Sequence, residues 1–262
     1  MEVVPLATAT DVAGLVADTV ESLVRTRPDA VLGLATGSSP VPAYRELVAR
    51  HRAGAGPSYA RVRAFLLDEY VGLPPGHPQS YRATIERDLT GHLDLDPADV
   101  HAPDPDLAEL PTAGERYDAA IAAAGGIDLQ ILGIGSDGHL AFNEPGSSLA
   151  SRTRLKTLTA QTRKDNARFF DDDPDRVPRH VLTQGIGTIL EARHLVLVAC
   201  GRRKAAAVAA AVDGPVASSC PASAIQLHPH VSVLLDEPAA AGLRRLDYYR
   251  EVYAGKPHWQ GL

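Results

Sequence analysis

Residues 30–40 read AVLGLATGSSP, an apolar run that passes into small polar residues and then into a proline. The apolar part predicts a buried strand from Ala30 to Ala35, because short runs without alternation are typical of strands covered on both faces. The TGSS segment predicts a loop, and Pro40 is typical of the first turn of a helix, which we expect to end near Ala53. This stretch therefore predicts a strand, a loop and a helix in succession.

The same succession recurs along the chain. Further strand-like runs are VRAFLL (62–67), IDLQILGI (127–134), HLVLVA (194–199) and VSVLL (231–235). Apolar strands that alternate with helices indicate a parallel sheet with helices on both faces. We therefore predict a single α/β domain over residues 1–262, built on a doubly wound, mostly parallel sheet of the Rossmann-like type.

Helical patterns fill the intervals between these runs. Apolar residues over 12–24 fall on one helical face, and Thr10 or Asp11 is placed to cap that helix. Thr112 followed by Glu115 is typical of a capping box and predicts a further helix. The remaining expectations are a helix from Lys204, a surface connection over 96–111 and a C-terminal helix after residue 235.

The composition is that of an ordinary globular protein. Of 262 residues, 45% are hydrophobic and 22% are charged, with a net charge of −6, so the chain lacks the broad positive field of a nucleic-acid-binding protein. Cys200 and Cys220 are too few for a disulfide framework and lack zinc-site spacing, which favours a reducing, cytoplasmic setting. Residues 1–12 carry no basic segment, and no apolar run reaches the roughly 18 residues of a membrane span, so we expect no membrane contact.

Gly37, Ser38 and Ser39 lie where the first predicted strand ends. Small residues allow backbone N–H groups to approach an anion, and the N-terminus of the following helix adds positive potential, so this loop is suited to a phosphate. The alternative interpretation is that Ser39 caps the helix and that Gly37 only eases the turn. The residues alone leave both interpretations open.

Asp68 and Glu69 directly follow the run VRAFLL. A carboxylate held beside a partly dehydrated cleft has a pKa suited to proton transfer. A helix cap or a salt bridge is an equally good interpretation of an acidic pair. The residue types do not choose between Asp68 and Glu69.

The richest cluster is GIGSDGHLAFNEPGSS (133–148), which brings Asp137, His139 and Glu144 within eight residues. Carboxylates beside a histidine orient its ring and raise its basicity, so His139 is a candidate proton shuttle. The segment also fits GxGxxG, but Asn143 and Pro145 follow too soon for a dinucleotide-binding helix. Neither the GxSxG of a hydrolase nor the HExxH of a zinc enzyme is present.

Residues 151–183 contain many basic side chains and few apolar ones. Such segments often close over an anionic ligand, so we predict a mobile lid here. A solvated surface is the alternative interpretation.

Three segments together resemble the glucosamine-6-phosphate deaminases: LGLATGSSP (32–40), LDEYVGLPPGHPQSY (67–81) and GIGSDGHLAFNEPGSSLASRTRLKTL (133–158). The resemblance continues in order through TRKDNARFF (162–170), a supposed helix VPRHVLTQGIGTIL (177–190) and SCPASAIQLHP (219–229). It covers nearly the whole chain and implies an α/β fold of the sugar-phosphate isomerase type. It also implies an enzyme of amino-sugar catabolism that converts glucosamine 6-phosphate and water to fructose 6-phosphate and ammonia, without a metal or other cofactor.

The resemblance also assigns roles to single residues. It implies that His139 opens the sugar ring, supported by Asp137 and Glu144, and that Asp68 moves a proton from C2 to C1, with Glu69 as a supporting neighbour. It implies a phosphate site made of Gly37, Ser38, Ser39, Arg168 and Lys204. Arginine offers a bidentate fork and lysine a point charge to such a phosphate.

Some members of that family are hexamers that N-acetylglucosamine 6-phosphate activates at a subunit interface. The residues that match this site are Ser147, Ser148, Arg154, Lys156 and a tyrosine. That tyrosine is Tyr248 or Tyr249, because the C-terminal segment departs from the family pattern. We therefore expect a homo-oligomer, with a hexamer as one form, and allosteric activation.

Two rival interpretations belong to other functional classes. The 6-phosphogluconolactonases share this fold and a similar Asp-Gly-His segment, but LAFNEP (140–145) and DEYVGL (68–73) favour the deaminase. The second rival is a sugar-phosphate sensor without turnover, since fold does not fix function. The acids and the histidine of the predicted site count against a sensor.

Overall fold

The computed structural model describes residues 1–257 and 259–262. Its strands are β1 (Glu2–Leu6), β2 (Val31–Leu34), β3 (Arg63–Leu66), β4 (Asp68–Val71), β5 (Val100–His101), β6 (Leu129–Leu132), β7 (Arg154–Thr157), β8 (His180–Thr183), β9 (His194–Ala199) and β10 (Val231–Asp236). Its α-helices are α1 (Ala9–Thr26), α2 (Val41–Arg52), α3 (Tyr81–Asp88), α4 (Leu110–Ala123), α5 (Ala160–Asn166), α6 (Ile186–Ile189), α7 (Ala205–Val212), α8 (Glu237–Ala240) and α9 (Leu246–Ala254). Short 3₁₀ turns cover Thr90–His92, Pro97–Asp99, Ala167–Phe169, Arg202–Lys204 and Pro221–Leu227. Across these described residues, no helix has the length and apolar character needed to cross a membrane.

Seven strands form one parallel sheet in the order β1-β10-β9-β6-β2-β3-β5. Strands β2, β6, β9 and β10 are buried along their whole length, as expected of strands covered on both faces. Helices surround the sheet; α1 contacts α2 and β10, and α9 contacts β1 at one edge. The predicted α/β fold with a mostly parallel sheet is confirmed.

A second sheet, which the sequence analysis did not predict, is antiparallel and has the order β4-β8-β7. The chain passes from the first sheet to the second at Leu67, between β3 and β4. In the second sheet Thr183 on β8 lies opposite Asp68 on one side and opposite Arg154 on the other. This small sheet therefore joins the acidic segment to the predicted lid segment.

Two helix starts differ from the prediction. Thr8 caps α1, and Asp11 is the third helical residue of that capping box rather than the cap; Thr10 lies inside the helix. Helix α4 begins before Thr112 without a side-chain cap, so the capping box with Glu115 is wrong. A capping pattern alone does not locate a helix start when two candidate caps are close in sequence.

The segment 177–190, which was expected to be a helix, is instead strand β8 followed by the single turn α6. Gly185 lies between the two, where a Cβ atom would come within 2.0 Å of the Ser151 carbonyl oxygen. The expected surface connection over 96–111 also differs, since it contains β5, which pairs with β3. Strand β1 was not predicted, because Pro5 weakens its strand pattern; at the edge of a sheet proline is tolerated.

Candidate active site

Four polar segments meet at one edge of the main sheet. They follow β2, β3, β6 and β9, which are neighbours in the sheet, and parallel strands end at the same edge. The segments carry Gly37 to Ser39, Asp68, the loop from Gly133 to Ser148, which we call the His139 loop, and Lys204. The predicted catalytic and phosphate-binding residues on these segments therefore share one end of the sheet.

Asp68 is buried, and its carboxylate is not engaged. The residue is 5% exposed, and the described part of the chain provides its carboxylate with no hydrogen bond or ion pair. Burial raises the pKa of Asp68 well above its ordinary value, and the negative charge of Glu69 raises it further. A carboxylate with a raised pKa is a stronger base, so Asp68 is suited to proton transfer.

Glu69 has a different, structural task. Its carboxylate accepts hydrogen bonds from the N–H groups of Tyr70 (2.8 Å), Tyr81 (2.9 Å) and Arg82 (2.9 Å). Tyr81 and Arg82 are the first two residues of α3, and a helix N-terminus attracts negative charge. The hydrogen bonds therefore distinguish the two acids, because Glu69 binds the N-terminus of α3 and Asp68 does not.

His139 and Asp137 form a pair on the loop after β6. Nδ1 of His139 lies 2.7 Å from Oδ1 of Asp137, in a contact that is bent away from a linear hydrogen bond. The proximity of His139 is the main reason that the pKa of Asp137 is lowered. A carboxylate on Nδ1 fixes the ring and directs Nε2 to other partners, as a proton shuttle requires.

Two glycines shape this loop. A Cβ atom at Gly135 would lie 2.2 Å from Cε1 of His139, so the imidazole rests directly on the backbone. Gly138 has a φ of 84°, and a Cβ atom there would lie 2.6 Å from Sγ of Cys220. A larger residue at either position would displace His139 or the segment that packs on its loop.

Glu144 lies on the same loop but faces other partners. Its Oε1 accepts hydrogen bonds from the hydroxyl of Thr159, at 3.1 Å, and from the hydroxyl of Thr162. Both threonines belong to the predicted lid segment, at the start of α5. No hydrogen bond or ion pair joins Glu144 to His139 within the described residues, so the supporting role of Glu144 stays a prediction.

Among the described residues, no hydrogen bond engages the side chains of Ser38 and Ser39 in the loop before α2. Gly37 has a φ of 97°, in the left-handed region that favours glycine. Helix α2 begins after Pro40 and has no side-chain cap, so the alternative in which Ser39 caps it is wrong. An uncapped helix N-terminus beside two serine hydroxyls is suited to a phosphate.

Lys204 and Arg168 are the two cations of the predicted phosphate site. Nζ of Lys204 donates to the carbonyl oxygen of Ile134 at 2.7 Å. Burial lowers the pKa of Lys204, and the charges of Arg203 and Arg168 lower it further. Arg168 is exposed, with its guanidinium 4.7 Å from the centre of the Phe169 ring. The two predicted phosphate-binding cations are therefore close enough to repel each other.

The predicted activator residues on and after the His139 loop differ in exposure, since Ser148 is exposed and the others are not. Ser147 is 5% exposed, and its hydroxyl finds no hydrogen-bond partner in the described structure. The hydroxyl of Ser148 accepts a bond from the N–H of Ala150 at 3.2 Å. Arg154 and Lys156 alternate with exposed residues on β7, so their side chains share the less exposed face.

The two candidate tyrosines lie elsewhere, on α9, which packs on β1. Tyr248 is 58% exposed and packs edge-on against Tyr249. The hydroxyl of Tyr249 donates to Asp213 at 2.9 Å. Neither tyrosine has a described contact with the other predicted activator residues of the same chain.

Several polar residues around the site were not assigned a role from the sequence. Thr159 and Thr162 bind Glu144, and Asn143 and Gln184 form buried hydrogen bonds beside the His139 loop. Asn143 lies in a quoted motif, but no spacing rule indicates where its amide points. A polar residue such as Gln184 directly after a buried strand was the available signal.

Comparison with known proteins agrees with this geometry. The family model of glucosamine-6-phosphate isomerases and 6-phosphogluconolactonases matches residues 5–234. A glucosamine-6-phosphate deaminase of an Arthrobacter species is 60% identical, and one of Mycolicibacterium smegmatis is 57% identical, each over 262 residues covering all of both chains.

Solved structures give the same result. A monomeric glucosamine-6-phosphate deaminase superposes with a TM-score of 0.88 at 38% identity, covering 92% of this chain and 100% of that one. A 6-phosphogluconolactonase from Trypanosoma brucei, at 20% identity and a TM-score of 0.74 over 92% of this chain and 98% of its own, shares the fold. The resemblance stated from the motifs is confirmed, and the chain belongs to the family of glucosamine-6-phosphate isomerases and 6-phosphogluconolactonases.

Proposed function

We propose that this chain is a glucosamine-6-phosphate deaminase that converts glucosamine 6-phosphate and water to fructose 6-phosphate and ammonia, in the cytoplasmic breakdown of N-acetylglucosamine. The observation that carries the proposal is a buried, unengaged carboxylate, Asp68, at the same sheet edge as the Asp137–His139 pair and the uncapped α2. The relatives of this name, at 56–60% identity over the full chain, support the same activity.

The first step opens the sugar ring. His139 moves a proton from the C1 hydroxyl to the ring oxygen, so that the C1–O5 bond breaks and C1 becomes an aldehyde. Asp137 holds the imidazole in the orientation that this transfer needs. Glu144, on the same loop, is proposed to support this step.

The second step moves a proton along the open chain. Asp68 takes the proton from C2 while the C1 oxygen gains a proton, which gives a cis-enolamine, and the same carboxyl group returns a proton to C1 while the C2 nitrogen loses one. The C2 carbon becomes an imine; water adds to it, and ammonia leaves as the C2 carbonyl forms. A raised pKa suits Asp68 to this role, because the group must both accept and release a proton.

The substrate phosphate is proposed to bind the loop before α2. The N–H groups and hydroxyls of Gly37, Ser38 and Ser39 surround one side, and Lys204 and Arg168 supply charge on the other. Segment 151–183 is proposed to close over the bound sugar as a lid. The bonds from Thr159 and Thr162 to Glu144 support this, because they tie the segment to the catalytic loop.

The test is a coupled assay of purified protein with glucosamine 6-phosphate that follows fructose 6-phosphate and ammonia together. We expect both products in equal amounts. Hydrolysis of 6-phosphogluconolactone without deamination would assign the chain to the other branch of its family. Binding of the sugar phosphate without either product would indicate a sensor.

We also propose activation by N-acetylglucosamine 6-phosphate in a homo-oligomer, such as a hexamer. The unpartnered hydroxyl of Ser147 and the less exposed side chains of Arg154 and Lys156 support a polar site for a second sugar phosphate. Because Tyr248 and Tyr249 lie apart from these residues, the tyrosine would come from another subunit. Initial rates at low substrate should rise when the acetylated sugar is added, and unchanged rates would contradict the proposal.

A further inference from the structure

The amide of Asn143 is completely buried at the centre of a hydrogen-bond junction. Its residue is 0% exposed. Its Nδ2 donates to the carbonyl oxygens of Leu140 at 3.0 Å and Gln184 at 2.8 Å, and its Oδ1 accepts from Nη1 of Arg154 at 2.9 Å. Because carbonyls only accept and a guanidinium only donates, these partners fix the orientation of the amide.

Each partner belongs to a different part of the site. Leu140 directly follows His139 on the loop after β6, and Gln184 directly follows β8. Arg154 begins β7 and is one of the predicted activator residues. Asn143 therefore connects the His139 loop to β7, an outer strand of the second sheet, and to the end of β8, its central strand.

Gln184 carries this connection on to the two residues before the strand of Asp68. Its backbone N–H donates to the Leu67 carbonyl oxygen at 2.7 Å, and its side-chain Nε2 donates to that of Leu66 at 3.1 Å. These two residues immediately precede Asp68. A continuous path of hydrogen bonds thus runs from beside His139, through Asn143 and Gln184, to beside Asp68.

A second link runs in parallel with the first. The N–H of Phe142 donates to the hydroxyl of Thr183 at 3.2 Å, and Thr183 lies opposite Asp68 in the antiparallel ladder. In the described residues, no direct hydrogen bond or ion pair joins Asp68 to His139. The described bonds between the two segments are therefore indirect.

We propose that Asn143 is a positioning residue that acts through Gln184 to keep the His139 loop at a fixed distance from Asp68. This role rests on the proposed function, because that reaction needs His139 and Asp68 to act on one sugar in succession. A displacement of about 1 Å between reacting groups lowers a rate about 100-fold. Removal of the Asn143 amide should therefore lower kcat without removing a group that touches substrate.

The test compares Asn143→Ala with Gln226→Ala. Gln226 is a matched control, because its Nε2 also donates to two carbonyl oxygens, those of Ala211 at 2.8 Å and Gly214 at 2.9 Å, on a different part of the fold. We expect Asn143→Ala to lower kcat about 100-fold with little change in KM. We expect Gln226→Ala to keep kcat within about twofold of the wild type, although it too loses stability, through two hydrogen bonds where Asn143→Ala loses three.

Folded Asn143→Ala protein with an unchanged kcat and pH profile would overturn the proposal. An equal loss of kcat in the Gln226 variant would overturn it as well, because the loss would then reflect general destabilisation. If Asn143→Ala does not fold, Thr183→Val carries the test, since it keeps the side-chain shape but removes both the bond from the Phe142 N–H and the bond from the Thr183 hydroxyl to the Gln184 carbonyl oxygen at 3.3 Å. We expect it to lower kcat about tenfold, and an unchanged kcat there would count against the proposal.

A readout without substrate separates this proposal from the proposed function. Absence of both products with the wild-type protein would contradict the deaminase activity but not the positioning role. The ring ¹H–¹⁵N signals of His139 should shift in Asn143→Ala and not in Gln226→Ala. Identical His139 spectra in all three proteins would overturn the positioning role whatever the activity is.

Discussion

Two equally buried acids at opposite ends of the main sheet, Asp128 and Asp68, differ in how they are bonded. At the amino ends of the strands, Asp128 is bonded to Arg27 at 2.5 Å, to Arg193 at 2.8 Å and to the N–H of Val31 at 2.8 Å. At the carboxyl ends, Asp68 is equally buried, but no described partner engages its carboxylate. Both residues are 5% exposed, so the difference lies in bonding and not in burial.

The histidines at the two ends differ in the same sense. At the amino ends, Nε2 of His194 lies 2.9 Å from the hydroxyl of Ser232, and its ring stacks on that of His230 with centres 3.7 Å apart. The two ring nitrogens of His228 lie 2.8 Å and 2.7 Å from the carbonyl oxygens of His230 and Ala192. At the carboxyl ends, only Nδ1 of His139 has a described side-chain contact.

This contrast separates structural groups from reactive ones. Buried polar groups are normally hydrogen-bonded, so an unengaged buried carboxylate lowers stability unless a ligand completes it. Perturbed pKa values with incomplete bonding are typical of functional sites. The same substitution at each end should therefore have opposite consequences.

The largest effect is expected for Asp68→Asn. Loss of the proposed base should lower kcat at least about 10³-fold and abolish exchange of the C2 proton with solvent. The variant should also melt about 2–4 °C higher at pH 7. The sign follows from the raised pKa of Asp68, because an acid whose pKa is raised by folding lowers stability once the pH exceeds its unfolded value. Activity near that of the wild type would remove Asp68 from the role of base.

Asp128→Asn is the matched substitution at the other end. It should lower the free energy of unfolding by about 2 kcal/mol, because two ion pairs and one hydrogen bond from the backbone lose their carboxylate. This loss is smaller than is usual for a buried ion pair, because both arginines are partly exposed. Its kcat should stay within about twofold of the wild type, as no bond between described residues connects Asp128 to the proposed catalytic groups. Urea unfolding and steady-state kinetics on one preparation decide this. A large fall in kcat would break the contrast between the two ends.

Lys204→Met should act mainly on substrate binding. A hydrogen bond to a charged group contributes about 1.5–3 kcal/mol, so KM should rise about 10–100-fold while kcat changes less. Methionine keeps much of the side-chain volume of lysine, which limits packing losses. Inorganic phosphate should inhibit the wild type more strongly than the variant, and equal inhibition would place Lys204 outside the phosphate site.

The smallest effect concerns acid stability at the amino ends. Burial, with the charges of His230 and His228, lowers the pKa of His194 from 6.5 to about 4. A histidine whose pKa is lowered by folding stabilises the protein above its unfolded pKa, and that contribution is lost as the pH falls through 6.5 towards 4. The wild type should lose about 1–2 kcal/mol between pH 7 and pH 5 from this group. His194→Gln should lose less over that interval in urea titrations, and an identical loss would assign the acid sensitivity to other groups.

The strands of the main sheet were largely predictable, and those of the second sheet were not. AVLGLA and HLVLVA are apolar throughout because helices cover both faces of their strands, so a simple count of apolar residues finds them. In DEYV all four residues are buried although two are acids. Sequence patterns predict that acidic residues are exposed. A strand is therefore missed when its acids are buried because they serve the reaction or bind a helix.

The candidate site was predictable in its residue types but not in its bonding. The acids and the histidine stood out as a cluster, and the order of the strands brought them to one edge. The choice between Asp68 and Glu69 needed the position of α3, which lies 12 residues further along at Tyr81. The partners of Glu144 also come from a separate segment, and no local spacing encodes such contacts.

The bond from Lys204 to the Ile134 carbonyl has a consequence for the entropy of binding. A free lysine side chain that becomes ordered on binding costs about 0.5–1.5 kcal/mol of affinity. Here Nζ is already held at 2.7 Å from a backbone oxygen before any phosphate arrives, so most of that ordering has occurred during folding. Because Ile134 lies at the start of the His139 loop, a phosphate that draws Nζ away also releases an acceptor at the base of that loop. Phosphate binding and the mobility of the His139 loop are therefore coupled through the Ile134 carbonyl group.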